Sequence, residues 1–142
     1  MREILFKGKR IDNGEWVEGC YAECNGKTFI GIDISIGIDD IFEVFCTPVI
    51  RWLEVDSKTL CQFTGETDKN GKRIWESDVV WLVYDGKEHI YQIVWDNSEL
   101  DFKATNGEEN YGSNFEYLLC CDEIEVIGNI FDNKELLQEE HK

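Results

Sequence analysis

From Ile30 to Ile38, five isoleucines occupy every second position, and this alternation is the clearest rhythm in the chain. Period two is strand spacing, because successive side chains of an extended backbone point to opposite faces. Gly31 and Gly37 then share the other face, where a neighbouring backbone can approach closely. Behind Pro48, "VIRWLEV" (49–55) predicts a second strand. It puts Ile50, Trp52 and Glu54 on one face and Val49, Arg51, Leu53 and Val55 on the other. Residues 2–7 predict a short first strand; Trp16 and Val17 continue the pattern, with Gly14 and Gly19 marking bends.

In the second half, "DVVWLVYDGKEHIYQIVWDN" predicts a hairpin. Two apolar runs flank Asp85-Gly86, a dipeptide that suits a two-residue turn. The first run is apolar on both faces, with Val79, Trp81 and Val83 opposite Val80, Leu82 and Tyr84. Such a strand is covered on both sides or lies at a subunit interface. Residues 96–114 are polar and turn-rich and predict a loop with a short strand near Phe102. "FEYLLC" leaves helix and strand open, and "EIEVIGNIFD" predicts a strand. Residues 132–142 predict a terminal helix capped by Asp132, with Glu135 completing a capping box and Leu136 and Leu137 docking it. The expected fold is mainly β (a β-rich α+β class): packed antiparallel strands or a small barrel-like lobe, with a short C-terminal helix. One domain is expected over 1–142, made of N-terminal strands (1–60), a β lobe (64–131) and the helix (132–142).

Between the two halves lies "TGETDKNGKRIWESDVV" (64–80), which offers a calcium loop or a turn. With Gly71 at position 6 of an EF-hand loop, Glu66, Asp68 and Asn70 fall at positions 1, 3 and 5. Position 12 is then Ser77, where a bidentate carboxylate is required, and both flanks are β-like. The turn needs none of this. Asp68 can bond the backbone two residues on, and Gly71 accepts positive φ at no cost. "DKNG" then reverses the chain between two extended segments, as a two-residue turn or a type I turn with a glycine bulge.

The stretch "EVDSKTLCQFTGETDKNGKRIWESDVV" resembles the signature of the YopX-like phage and prophage protein family. Thr59, Gln62, Phe63, Thr64 and Gly65 match its first part. Asp68 to Lys72, Ile74, Trp75, Glu76, Asp78, Val79 and Val80 match its second part. "MREILFKGKRIDNGEWVEG" is similar to the family's opening, and "EVIGNIFDNKELL" to its closing segment and helix. Ser77 stands where the signature has glycine, and Cys61 where glycine is common. The resemblance implies a small β-rich protein acting inside a bacterium and assembling into a homo-oligomer. It supplies no activity. The signature residues Thr59, Gln62, Thr64, Gly65, Asp68, Asn70, Gly71, Ile74, Glu76 and Asp78 are therefore expected to be structural, serving turn and strand.

Composition narrows the functional classes. With 42% hydrophobic and 13% aromatic residues in 142, a packed core is within reach. A formal charge of −16 keeps the chain soluble and leaves little to neutralise phosphates, so direct nucleic-acid binding is not expected. The one short basic patch is Arg2, Lys7, Lys9 and Arg10. No apolar signal core and no membrane-length apolar run are present, so a cytoplasmic location in a bacterial host cell and no membrane partner are expected. The six cysteines are then free thiols, mostly small buried hydrophobes. Cys20 and Cys24 have zinc-ligand spacing without a second pair, and Cys120-Cys121 point to opposite sides of a strand. His89 and His141 are the only imidazoles, and neither sits in a catalytic motif. Trp75, Trp81 and Trp95 can stack on bases or sugars, yet aromatics at strand spacing more simply form core.

The expected function is that of a non-enzymatic accessory protein that self-associates and binds a host or phage protein, with no metal, cofactor or catalytic residue. The alternatives are an acidic DNA mimic occupying a basic host factor and a hydrolase with a carboxylate-held metal.

Overall fold

The computed structural model describes residues 3–34, 49–97, 100–105, 115–117 and 121–140. The mainly β expectation holds: among the described residues antiparallel strands make up nearly all the regular structure, with one short helix. They gather in two compact units, Glu3–Gln62 and Phe63–Lys142. The expectations for Ile36, Ile38, Gly37, Pro48, Cys46, Cys120, His141 and Arg2 lie outside the described residues.

In the first unit β1 (Phe6–Lys9), β2 (Trp16–Cys24), β3 (Lys27–Asp33) and β4 (Ile50–Val55) form a meander in the order β4-β3-β2-β1. β2 and β3 join through Asn25-Gly26, both at positive φ (53° and 77°), the geometry of a type I′ hairpin turn. The sheet also curls towards closure. Arg10 bridges Val55, Ile11 N–H donates to Glu54 O at 3.1 Å, and Asp56 N–H donates to Lys9 O at 2.8 Å. Barrel-like closure thus occurs in this unit. Gly8 permits it, since a Cβ there would lie 2.8 Å from a Val55 methyl. Val55, Ile30 and Cys61 fill the interior and are buried. Gly19 lies within β2 and is no bend; its backbone passes against Gly31 O of β3.

One 3₁₀ turn, Ser57–Thr59, leads into β5 (Cys61–Thr67), whose first two residues pair with Lys7 and Phe6 of β1. From Phe63 onward β5 belongs to the second unit and pairs with β6 (Arg73–Trp75). There β7 (Asp78–Tyr84), β8 (Lys87–Asp96), β9 (Asp101–Thr105), β10 (Phe115–Tyr117) and β11 (Glu123–Asn129) form a sheet in the order β10-β9-β8-β7-β11. Asp85 and Gly86 take φ of 50° and 76°, so the β7–β8 hairpin is type I′ as its sequence predicts. The core is Ile74, Val80, Leu82, Tyr91, Ile93, Phe102 and Ala104. Each large apolar side chain fully removed from water there contributes about 1.5–3 kcal/mol.

The terminal helix α1 spans Glu135–Glu140, starting at 135 and not at 132; residues 141–142 lie outside the described residues. The Asp132 carboxylate accepts from Asn129 Nδ2 at 3.1 Å. Asn129 Oδ1 accepts from Phe131 and Asp132 N–H, both at 2.9 Å, and Asn133 N–H donates to Asn129 O at 2.8 Å. Asn129 thus caps a separate turn ahead of the helix, which begins at Glu135.

Candidate functional site

The signature residues converge on one hairpin and its turns, mainly in the second unit. Asp68 N–H donates to Lys72 O at 2.7 Å and Gly71 N–H to Asp68 O at 2.9 Å. Gly71 alone in this turn has positive φ, at 80°, so the reversal is a type I turn closed by a glycine bulge. Asp68 is buried, and its carboxylate is fully engaged. Oδ1 accepts from Asn70 and Lys72 N–H, each at 2.9 Å, and Oδ2 accepts from Val126 N–H of β11 at 2.9 Å. Burial pushes its pKa up, but the N–H groups of Val126, Lys72 and Asn70, with the Lys72 charge, outweigh that and hold it below the ordinary aspartate value. A carboxylate so satisfied is a structural clamp. It is not aimed at a cation, and the calcium-loop reading finds no ring of ligands here.

The clamp draws the hairpin onto β11. Lys69 N–H donates to Ile124 O at 3.0 Å, and Asn70 Nδ2 donates to Glu125 Oε1 at 3.3 Å. Lys69 Nζ lies 4.8 Å above the Trp81 ring and 3.8 Å from Glu125. Nothing in the local sequence of 64–80 announces β11 as the partner. The bulge in β5 is also built from the signature. Thr64 Oγ donates to Ile74 O at 2.7 Å where the ladder skips, and Gly65 takes φ of 91°. Ile74 drops into the core, and Phe63 packs against Trp75 with centroids 5.5 Å apart.

At the next corner Asp78 Oδ2 accepts from Trp75 N–H at 2.8 Å, across Glu76 and Ser77. Ser77 has φ of 74°, the left-handed region required at the third position of a type II turn. The turn cannot relax, because Ser77 N–H donates to Ile93 O at 2.8 Å and Ser77 O accepts from Ile130 N–H at 3.0 Å. The departure from the signature glycine therefore carries backbone strain. Ser77→Gly is expected to stabilise the second unit by about 1 kcal/mol, after the entropy that glycine adds to the unfolded chain. Urea denaturation checks this, and an unchanged or lower midpoint would contradict the strain.

Thr59 and Gln62 belong to the first unit. Thr59 Oγ accepts from Lys9 N–H at 2.9 Å and donates to Asp56 O at 2.7 Å, pinning the end of β1. Nearby, Lys9, Arg10, Lys27, Glu54, Asp56 and Ser57 are among the residues lining an open groove of about 500 Å³. Of the basic patch, Lys7 and Lys9 lie 4.6 and 5.5 Å from the Trp16 ring centre. Arg10 is paired with Asp12 through two hydrogen bonds of 2.9 and 2.6 Å. On the outer face of the same sheet Ile50, Cys20 and Trp52 close over Gly31, so that a Cβ there would meet them at 2.7–2.9 Å. Ile50 and Trp52 remain 37% and 47% exposed, with Ile34 and Val49 exposed beside them. The alternation of β4 predicts the shared face of Ile50 and Trp52 but not its exposure.

Among the described residues no group of three His, Cys, Asp or Glu is placed to hold a metal. Cys20 and Cys24 are exposed free thiols, Cys61 is buried and Cys121 half-buried, so burial is less common than expected. His89 stacks on Tyr91 at 4.8 Å. Trp75 is core, Trp81 lies under Lys69, and Trp95 is 36% exposed with its indole N–H on Asn97. No described helix is long and apolar enough to cross a membrane.

No curated protein matches this chain. Among solved structures it is similar to protein EF1440 from Enterococcus faecalis, at 21% identity with a TM-score of 0.54, over 96% of this chain and 99% of that one. At that identity the likeness concerns the fold. The family described as YopX protein matches residues 8–138, which include the clamp, the bulge, the Ser77 corner and the Asn129 turn. The chain belongs to the YopX protein family.

Proposed function

We propose that this protein is a phage- or prophage-encoded accessory protein of the bacterial cytoplasm that binds a macromolecular partner, self-associates and carries out no catalysis. The observation that carries the reading is the outer face of the first unit, where Ile50 and Trp52 stay exposed around Gly31 on a strand at the sheet edge. Adjacent exposed apolar side chains on an edge strand suit association better than isolation in water. Its complement is the signature itself: Thr64, Asp68 and Asp78 spend their polar atoms on backbone groups of their own fold.

Sedimentation of the wild type and of Trp52→Glu at micromolar concentration tests it. The expected result is an oligomer for the wild type and a smaller species for the variant, with unchanged circular dichroism. A monomeric wild type would remove self-association from the reading.

A second reading, an acidic mimic of DNA that occupies a basic host protein, draws support from the charge distribution. Residues 1–62 carry eleven acidic against seven basic residues, and residues 63–142 carry nineteen against seven, or −4 against −12. It requires binding to a basic partner that weakens steeply with salt. Binding indifferent to ionic strength would dismiss it.

A further inference from the structure

The tripeptide Asn-Gly-Lys occurs twice among the described residues, at 25–27 and 70–72 within "CNGK" and "KNGK", in opposite surroundings. We propose that Asn25 is a site of spontaneous chemical modification, deamidation to Asp and isoAsp, and that Asn70 is shielded from the same reaction by the fold.

The chemistry needs only the chain and water. Gly26 N loses its proton and attacks Asn25 Cγ; the Cγ–Nδ2 bond breaks, and the nitrogen leaves as ammonia with the proton. The succinimide so formed adds water at either carbonyl and opens to Asp or to isoAsp. A glycine after the asparagine is favourable because no Cβ obstructs the approach. The rate in a folded protein then depends on whether the attacking N–H and the side-chain amide are free to meet.

At 25–26 they are free. The pair forms the tip of the β2–β3 turn, both residues are exposed, and among the described residues neither the Asn25 side chain nor the Gly26 N–H makes a hydrogen bond. A Cβ on Gly26 would meet nothing within 4 Å, so the space around the tip is open. At 70–71 every group the reaction needs is held. Gly71 N–H donates to Asp68 O at 2.9 Å, Asn70 Nδ2 donates to Glu125 Oε1 at 3.3 Å, and Asn70 N–H is bound to Asp68 Oδ1 at 2.9 Å. Attack there requires the clamped hairpin to open first, and a structure that opens rarely reacts rarely.

The product matters locally. An acid at 25 adds a negative charge to the hairpin whose Gly26 and Lys27 line the groove of the first unit. The isoAsp form also inserts an extra backbone carbon into a two-residue turn whose geometry fits the strand twist.

The test is peptide mapping by mass spectrometry after incubating the full folded chain in mildly alkaline buffer, with Asn25→Asp as the mass and retention standard. The peptides carrying residues 25 and 70 are followed separately. Asn25 is expected to convert at least about tenfold faster than Asn70, the factor expected when hydrogen bonds must open before reaction. In guanidinium the two rates are expected to converge, because the flanking residues are nearly the same. Equal rates in the folded protein, a faster Asn70, or a difference that persists in the unfolded chain would each overturn the proposal.

Discussion

Asp68→Asn is expected to cost about 2–4 kcal/mol of stability at neutral pH, the largest effect of any near-isosteric change in the second unit. The amide keeps one acceptor oxygen for Asn70 and Lys72 N–H. Its NH₂ then faces Val126 N–H, so two donors meet where a charged acceptor stood. The β11 side of the clamp should fail first, and amide exchange at Val126 should accelerate more than at Gly71. Denaturant titration gives the total; exchange at the two amides gives the distribution. A variant as stable as the wild type would show that the clamp contributes little.

The pH dependence follows from the same group. Its folded pKa lies below the ordinary value of 3.8, so its stabilisation is fully present above that value. It is lost as pH falls through the depressed folded value. The stability gap between wild type and Asp68→Asn should therefore be constant near neutrality and close in strong acid. A gap that widens on acidification would reverse the sign and refute the assignment.

Gly19→Ala is expected to have an effect as large in the first unit, at least about 3 kcal/mol and enough to threaten folding. A Cβ at Gly19 would lie 2.0 Å from Gly31 O and 3.0 Å from Gly31 C. Both are backbone atoms of the paired strand, so nothing can swing aside, and β2 and β3 would have to separate. Gly31→Ala makes the informative contrast. Its Cβ would meet Ile50 Cγ2, Cys20 Sγ and Trp52 Cζ3, the ends of half-exposed side chains that can rotate away. It should cost less than half as much. Thermal melts of the two variants side by side decide it, and similar losses would mean that the close approach at Gly19 relaxes easily.

Much of the architecture was legible because it is local. The Asp85-Gly86 and Asn70-Gly71 corners follow from the φ > 0 that their glycines allow, and both lie where sequence reasoning puts them. The strands at 50–55, 87–96 and 123–129 follow from alternation, and the strand at 78–84 from its short apolar run. The Asn25-Gly26 hairpin is equally local, since both residues accept the positive φ of a type I′ turn, but the isoleucine rhythm that marks its second strand begins only at Ile30. The start of the helix was less legible. Asp132 and Glu135 have capping-box spacing, but Asn129 caps a turn of its own through the N–H groups of 131 and 132, and the helix begins after it at Glu135.

The sequence by itself determined the β class, the turn chemistry of the "DKNG" hairpin and the family, since each rests on residue identities within a few positions of one another. Only the tertiary structure decided that Asp68 reaches Val126, that barrel-like closure belongs to the first unit, that Gly19 meets Gly31, and that Trp52 stays in contact with water. Those facts join residues up to 58 positions apart, or depend on which face is left uncovered. Periodicity assigns a side chain to a face of its strand; what that face meets is set by the strands that arrive from elsewhere in the chain.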